Sequence, residues 1–188
     1  PIGKQDQYIT AYGGLRRICV HADESVFVDP IICLPETRAA LQERLLLMYT
    51  GLTRSSSSIL AEQHHNTEHD EAKRRTLDRM AHLARELCSA LEANDLDCFG
   101  EILHQSWLAK RGLASGITTD TIDGWSERAR AHGAVGGKIT GAGGGGFLLL
   151  YAPRARHPEI IRSLPELRPV PFRFEPQGSK IIYVEESA

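Results

Sequence analysis

The sequence predicts an α+β fold. Short runs rich in apolar and β-branched residues, bounded by Gly, Asp or Pro, lie towards both ends of the chain and read as strands. Between them, from Ser55 to about Lys110, apolar residues recur at spacings of three and four, the repeat of a buried helix face. The order of strand, helices, strand, strand, helix, strand and strand then argues for a largely antiparallel sheet.

Residues 1–14 begin polar, form a short helix near Gln7 to Tyr12, and stop at Gly13-Gly14. Leu15 to Val20 and Ser25 to Val28 read as two short strands. Pro35-Glu36 opens a short helix, with Thr37 also near its start. Leu45 to Thr50 is an apolar run of strand length that ends at Gly51. Ser58, Ile59 and Glu62, then Thr76, Leu77, Met80, Leu83, Ala84, Leu87 and Leu91, make one stripe. Asn94-Asp95 interrupts it, and Leu96, Phe99, Leu103 and Trp107 resume it, giving two or three helices. Ile117 to Ala131 is a further helix, with Thr118, Thr119 or Asp120 as its cap. Lys138 to Thr140 and Phe147 to Tyr151 are strands, and Pro153 to Leu164 is one more helix. Val170 to Phe174 and Lys180 to Val184 are expected to close the fold as a strand pair around Pro176-Gln177-Gly178.

The chain has 188 residues, 24 % of them charged and 41 % hydrophobic, a composition that buries a core. Lys plus Arg is 22 and Asp plus Glu is 24, a net charge of −2. So near neutrality, no global field captures nucleic acid or an anionic membrane. No apolar run approaches the roughly 20 residues of a bilayer span. Cys19, Cys33, Cys88 and Cys98 are scattered without a CxxC pair, which excludes a metal ribbon and fits a reducing cytoplasm. Pro1 is no natural initiator and no signal-like segment follows, so the chain is expected to be cut from something longer.

Seven of the 17 glycines lie between Gly136 and Gly146. Gly141, Gly143 and Gly146 satisfy GxGxxG, but a strand-length run, Phe147 to Tyr151, follows where the dinucleotide version needs a helix. Lys138 precedes the main glycine run and is not followed by Ser or Thr, so the GxxxxGK[ST] phosphate loop is absent as well. What remains is a strand, a glycine loop and a strand, whose N–H groups stand clear of side chains and suit a phosphate. A plain hairpin is the competing reading, but it needs one or two glycines rather than four in a row.

This segment resembles the third signature motif of the GHMP kinases, the family of galactokinase, homoserine kinase, mevalonate kinase and phosphomevalonate kinase. There a KxTGAGxGG-type loop in the C-terminal domain lies beside the nucleotide phosphates. The match falls on Lys138, Thr140, Gly141, Ala142, Gly143, Gly145 and Gly146, with Ala134 to Gly137 fitting upstream. Gly3-Lys4-Gln5-Asp6-Gln7-Tyr8 resembles the GxxDQ element of the family's sugar kinases, whose Asp lies next to the hydroxyl that is phosphorylated. A carboxylate there can orient an alcohol and take its proton. The plainer reading of Asp6 is a helix cap. Lys4 is a neighbour that could help keep it ionised.

Tyr49 to Leu60, Phe172 to Tyr183 and Pro1 to Tyr8 narrow the resemblance to the heptose 7-phosphate kinases of that family. It covers the whole chain, but only the carboxy-terminal portion of a family member. A PxGLGSSA-type loop, which carries a Mg²⁺-binding Ser, is not found here. The resemblance implies a ferredoxin-like C-terminal kinase domain with extra helices over residues 37–188, and a remnant of the N-terminal domain over residues 1–36. It implies transfer of a phosphoryl group from ATP, with Mg²⁺ held by the missing half and no metal ligand here, to the anomeric hydroxyl of a heptose 7-phosphate. Nucleotide-activated heptose would be built from the product. Asp6 would be catalytic, and Gly141, Ala142, Gly143, Gly144 and Gly145 would line the nucleotide phosphates. Gly3, Gly51, Arg54 and Ser55 would bind substrate.

Arg54 follows a strand-ending Gly and precedes the hydroxyls and the helix start at Ser55 to Ser57, a natural set of phosphate donors. Its competing reading is a surface Arg capping a loop or paired with Glu62. The expected partners are a phosphorylated sugar, ATP and the missing N-terminal half, with neither nucleic acid nor membrane; a homodimer is left open. The isolated chain is expected to be inactive. The alternatives are a kinase for a free sugar such as fucose or galactose, or a non-catalytic fragment or binding module that lacks the ATP loop. His64, His65 and His69 read as a solvated helix face, since Asn66 stands where a zinc hydrolase helix carries Glu. Lys73-Arg74-Arg75 with Arg79 reads as an exposed face, Trp107 and Trp125 as core or interface, and Cys88 as buried packing.

Overall fold

A computed structural model describes residues 3–183, which fall into two units. Residues 3–32 and 173–183 form the smaller one, and Cys33–Phe172 the larger. In the smaller unit α1 (Gln5–Tyr12) ends where Gly13 takes φ +62° and its N–H returns to the Ile9 carbonyl at 2.8 Å. Strands β1 (Arg16–Val20) and β2 (Val26–Pro30) pair antiparallel. Asp23 shapes their turn, its Oδ1 accepting from the Ser25 N–H at 3.0 Å and the Ser25 hydroxyl at 2.6 Å.

The larger unit opens with α2 (Pro35–Arg44), which has proline in its first turn, and passes straight into β3 (Leu45–Tyr49). The long helical region is three helices, α3 (Ser56–His69), α4 (Glu71–Glu92) and α5 (Phe99–Arg111). Asp70 separates the first two by capping α4, its carboxylate accepting the Ala72 N–H at 2.7 Å. Of the three cap candidates before α6 (Asp120–Ala131), Thr119 takes the role, accepting the Ile122 N–H at 3.3 Å. Strands β4 (Gly136–Ile139) and β5 (Phe147–Tyr151) follow, then a 3₁₀ turn at Arg154–Arg156, α7 (His157–Ser163) and β6 (Arg168–Pro169).

The four-stranded sheet runs β4-β5-β3-β6 with every neighbour antiparallel, as expected. Met48 opposes Leu148 and Leu46 opposes Leu150, so the period of two puts these four and Ile139 on one buried face. They share a core with Trp107, Ile117, Ile122, Trp125, Ile160 and Leu164. Each such side chain contributes roughly 1.5–3 kcal/mol on burial. Both tryptophans are therefore core residues. Cys88, expected to be buried, is half-buried because it lies at the margin of the α4 stripe, and Cys19, Cys33, Cys88 and Cys98 form no disulfide among the described residues.

The expected closing strand pair does not form among the described residues. β6 pairs with β3 over two positions, Met48 with Pro169 and Tyr49 with Arg168, and the Val170 N–H adds one bond to Leu47 at 2.8 Å. The tail runs beside α1 instead: the Gly14 N–H donates to Glu175 at 2.8 Å and the Ser179 N–H to Thr10 at 2.9 Å. Val184 lies outside the described residues. No helix among these residues is long and apolar enough to cross a membrane.

Candidate active site

The glycine loop joins β4 to β5 and is stitched down on both sides. On one side the Thr50 N–H and hydroxyl both donate to the Gly146 carbonyl at 2.9 Å, and the Gly146 N–H donates to Leu52 at 2.9 Å. On the other, the Gly144 N–H donates to the Ile117 carbonyl at 2.8 Å. The Lys110 ammonium donates to the Gly141 carbonyl. Gly144 has φ +73°, and a Cβ there would stand 2.8 Å from the Gly116 oxygen and 3.1 Å from Cδ of Arg54. Backbone conformation and close approach both require glycine at this point.

With the Gly144 and Gly146 amides engaged inward, the N–H groups of Ala142, Gly143 and Gly145 have no acceptor among the described residues. They are the donors this loop offers to an anion. The stem of Arg54 lies against Gly144, and the exposed guanidinium makes no ion pair among the described residues. Its competing partner Glu62 is engaged elsewhere, with its carboxylate on the Ser115 N–H at 2.7 Å and the Ser115 hydroxyl at 3.0 Å. These bonds hold the Glu62 carboxyl below the ordinary range. Lys138, on β4 just before the loop, is pushed down by burial. Asp123 is taken up by Arg111 at 3.2 Å and Thr118 at 2.8 Å. The open amides and the unpaired Arg54 guanidinium are therefore the groups of this region suited to phosphate.

Ser55 is the N-cap of α3, with no side-chain cap bond, so the first-turn amides beside Arg54 are not satisfied by its hydroxyl. Gly51 ends β3 exposed, with φ +70°. Gly51, Arg54, Ser55 and Gly141 to Gly145 thus all belong to the larger unit, where the 50–54 segment is bonded to the glycine loop. Asp6 and Gly3 belong to the smaller one. Asp6 is the second residue of α1 and exposed; Lys4 holds the N-cap position, and the Asp6 carboxylate makes no hydrogen bond or ion pair among the described residues. The Asp6 backbone is engaged, its carbonyl accepting from the Thr10 hydroxyl at 2.7 Å. Lys4 pairs with Glu24 at 3.8 Å rather than with Asp6.

Thr50, Lys110, Glu62 and Ser115 escape sequence reading. Their bonds to the loop or its supports span 31 to 96 residues, and none forms a local motif. Among the described residues no three His, Cys, Asp or Glu side chains gather as a metal site. The histidines of α3 stand on the helix surface, His64 against Glu68 at 3.4 Å and His65 against the His69 ring.

Residues 71–168 match the family described as GHMP kinases C terminal. Among characterised proteins, the chain is 27 % identical over 163 residues to a D-glycero-alpha-D-manno-heptose 7-phosphate kinase from Campylobacter jejuni, covering 86 % of this chain and 48 % of that protein. It is 27 % identical over 136 residues to a bifunctional fucokinase/GDP-fucose pyrophosphorylase from Arabidopsis thaliana, covering 72 % and 13 %. The crystal structure of L. major mevalonate kinase with R-mevalonate superposes with a TM-score of 0.69 at 20 % identity, covering 90 % of this chain and 51 % of that one. The chain spans about half the length of that heptose 7-phosphate kinase and of the mevalonate kinase. The family match spans more than half the chain and takes in the glycine loop and both strands that carry it, so this chain belongs to the GHMP kinases, phosphotransferases of sugars and other alcohols, through their C-terminal domain.

Proposed function

We propose that this chain is the C-terminal portion of an ATP-dependent sugar 1-kinase that acts on a heptose 7-phosphate. In this reading residues 1–36 are the remnant of the N-terminal domain and residues 37–188 the C-terminal kinase domain. The observation that carries it is Arg54, whose stem lies against a glycine loop with open amides and whose exposed guanidinium makes no ion pair among the described residues. Two phosphate groups must be managed in such a reaction, the one being transferred and the one the sugar already bears. The amides of Ala142, Gly143 and Gly145 suit the first, and Arg54 with the α3 N-terminus at Ser55 suits the second. In the same reading Gly3 and Gly51 are substrate-binding residues. Asp6, exposed and free of a cap role, orients the acceptor hydroxyl and takes its proton. Family members use ATP and Mg²⁺. The residues around the loop fit phosphate oxygens rather than a cation, so the ion's ligands belong to the other half of the enzyme. Magnesium, when bound, neutralises charge on the transferred phosphoryl.

The second reading, a kinase for a free sugar such as fucose, is favoured by the fucokinase relative. The test is ADP release by the complete gene product with heptose 7-phosphate, unphosphorylated heptose, fucose and galactose. The proposal expects kcat/KM to be highest for heptose 7-phosphate. Equal or better turnover of a free sugar would replace it with the second reading. Absence of turnover with every sugar would leave a binding module.

A further inference from the structure

We infer that Glu62 is a positioning residue, which holds the glycine loop in shape by gripping the 112–118 connector that backs it. This rests on the reading above only in taking the loop's ligand to be phosphate. The bonds form a continuous path. Glu62 receives both the N–H and the hydroxyl of Ser115, at 2.7 and 3.0 Å. Two residues on, the Ile117 carbonyl receives the Gly144 N–H at 2.8 Å. Between them, the Gly116 oxygen lies 2.8 Å from the point where a Gly144 Cβ would stand.

The same helix makes a second contact one turn earlier. Cδ1 of the buried Ile59 lies 3.0 Å from that Gly144 point, and its Cγ1 is 3.1 Å from where a Gly116 Cβ would stand. Residues three apart share a helix face, so Ile59 and Glu62 act from one side of α3. Asn66, a further turn on, donates to the Leu113 carbonyl at 2.9 Å, and Lys73 of α4 donates to Gly112. Those two hold the start of the connector. Glu62 holds its middle, with two bonds, nearest the residue that engages the loop. Because α3 also begins at Ser55 beside Arg54, one rigid helix sets both the loop and its neighbouring cation.

The test is residue-resolved amide hydrogen exchange on the complete gene product without nucleotide, for Glu62→Ala, Glu62→Gln and Ser115→Ala. Glutamine can still accept from the Ser115 N–H and donate to its hydroxyl, so it is the rescuing variant. In Glu62→Ala the Gly144 amide should exchange about tenfold faster or more, while the β3–β5 ladder amides keep their protection. Glu62→Gln should stay within about threefold of the parent, and Ser115→Ala should fall between them. An unchanged Gly144 amide in Glu62→Ala, or equal acceleration across the ladder, would overturn the inference. If Glu62→Ala does not fold, Ser115→Ala decides, and an unchanged Gly144 amide there overturns it. A separate arm uses the complete kinase: KM for ATP should rise about tenfold in Glu62→Ala with kcat held within about threefold, and return in Glu62→Gln. Altered exchange with an unchanged KM would remove phosphate as the loop's ligand and leave the positioning role standing.

Discussion

Arg54 and Asp6 are both exposed, and the proposed function gives them roles that differ in where they enter the reaction. A guanidinium on a remote phosphate contributes in the ground state and the transition state alike, so its loss should raise KM more than it lowers kcat. An ionic pair left half-empty costs about 2–5 kcal/mol, so kcat/KM of Arg54→Ala should fall on the order of 30-fold or more with heptose 7-phosphate. The preference over unphosphorylated heptose should fall with it; an unchanged ratio between the two sugars would show that another group reads the phosphate. Asp6→Asn keeps size and removes the base. Its kcat should drop about 10²–10⁴-fold at nearly constant KM, measured in the complete enzyme. Retention of most of the kcat would leave Asp6 a surface residue of α1.

At the scale of the element, α4 shows how one side chain divides a helical stretch. Without Asp70 the stripe from Ser58 to Leu91 reads as one long helix, yet Asp70 adopts extended backbone and caps the first turn of α4. Replacing it with Ala should destabilise the chain by about 1 kcal/mol, a fall in Tm of about 2–4 °C in a chain of this size. A thermal melt unchanged within error would mean that the two helices are divided by packing alone. The glycine loop is an element of the opposite kind. Its shape comes from the flanking connectors, because glycines permit many conformations and choose none. Thr50, Leu52 and Ile117 supply the bonds that choose one.

Across the whole molecule, two buried histidines set the response to acid. His104 of α5 and His157 of α7 are held below the ordinary value of 6.5, chiefly by burial. His104 also faces Arg130, which bonds its Nε2, and its Nδ1 has no partner among the described residues. Neutral in the fold, both take up protons more readily once unfolded. Their contribution is full above about pH 6.5 and is lost as pH falls through that value towards the folded pKa. The carboxyls of Asp23, Glu62 and Glu166, held low by hydrogen bonds, act the same way but only in more acidic solution. Tm should therefore fall between about pH 7.5 and about pH 5.5, and His104→Leu should flatten that slope. A melt independent of pH over this interval would show that neither histidine is kept neutral by the fold.

The strands, the helical region and the glycine loop were legible in the sequence because each depends on neighbours a few residues away. Met48, Leu148 and Leu150 alternate with less buried positions, Leu83 and Leu91 keep the helical repeat, and Gly141 to Gly146 announce a loop with free amides. Val170 to Phe174 has the same local look as a strand and is not one. A strand needs an edge to pair with, and β3 meets this end of the chain over only two ladder positions before the tail turns to α1. Arg54 was visible as a candidate phosphate ligand, but its freedom from Glu62 was not, since Ser115, 53 residues from Glu62 in sequence, takes that carboxylate instead. By itself the sequence determined the secondary structure up to the closing segment, the family's loop and the catalytic candidates. Only the tertiary structure decided which carbonyls and carboxylates hold that loop, because hydrogen bonds between distant segments depend on which groups the packed chain brings within reach, and local pattern carries no record of that.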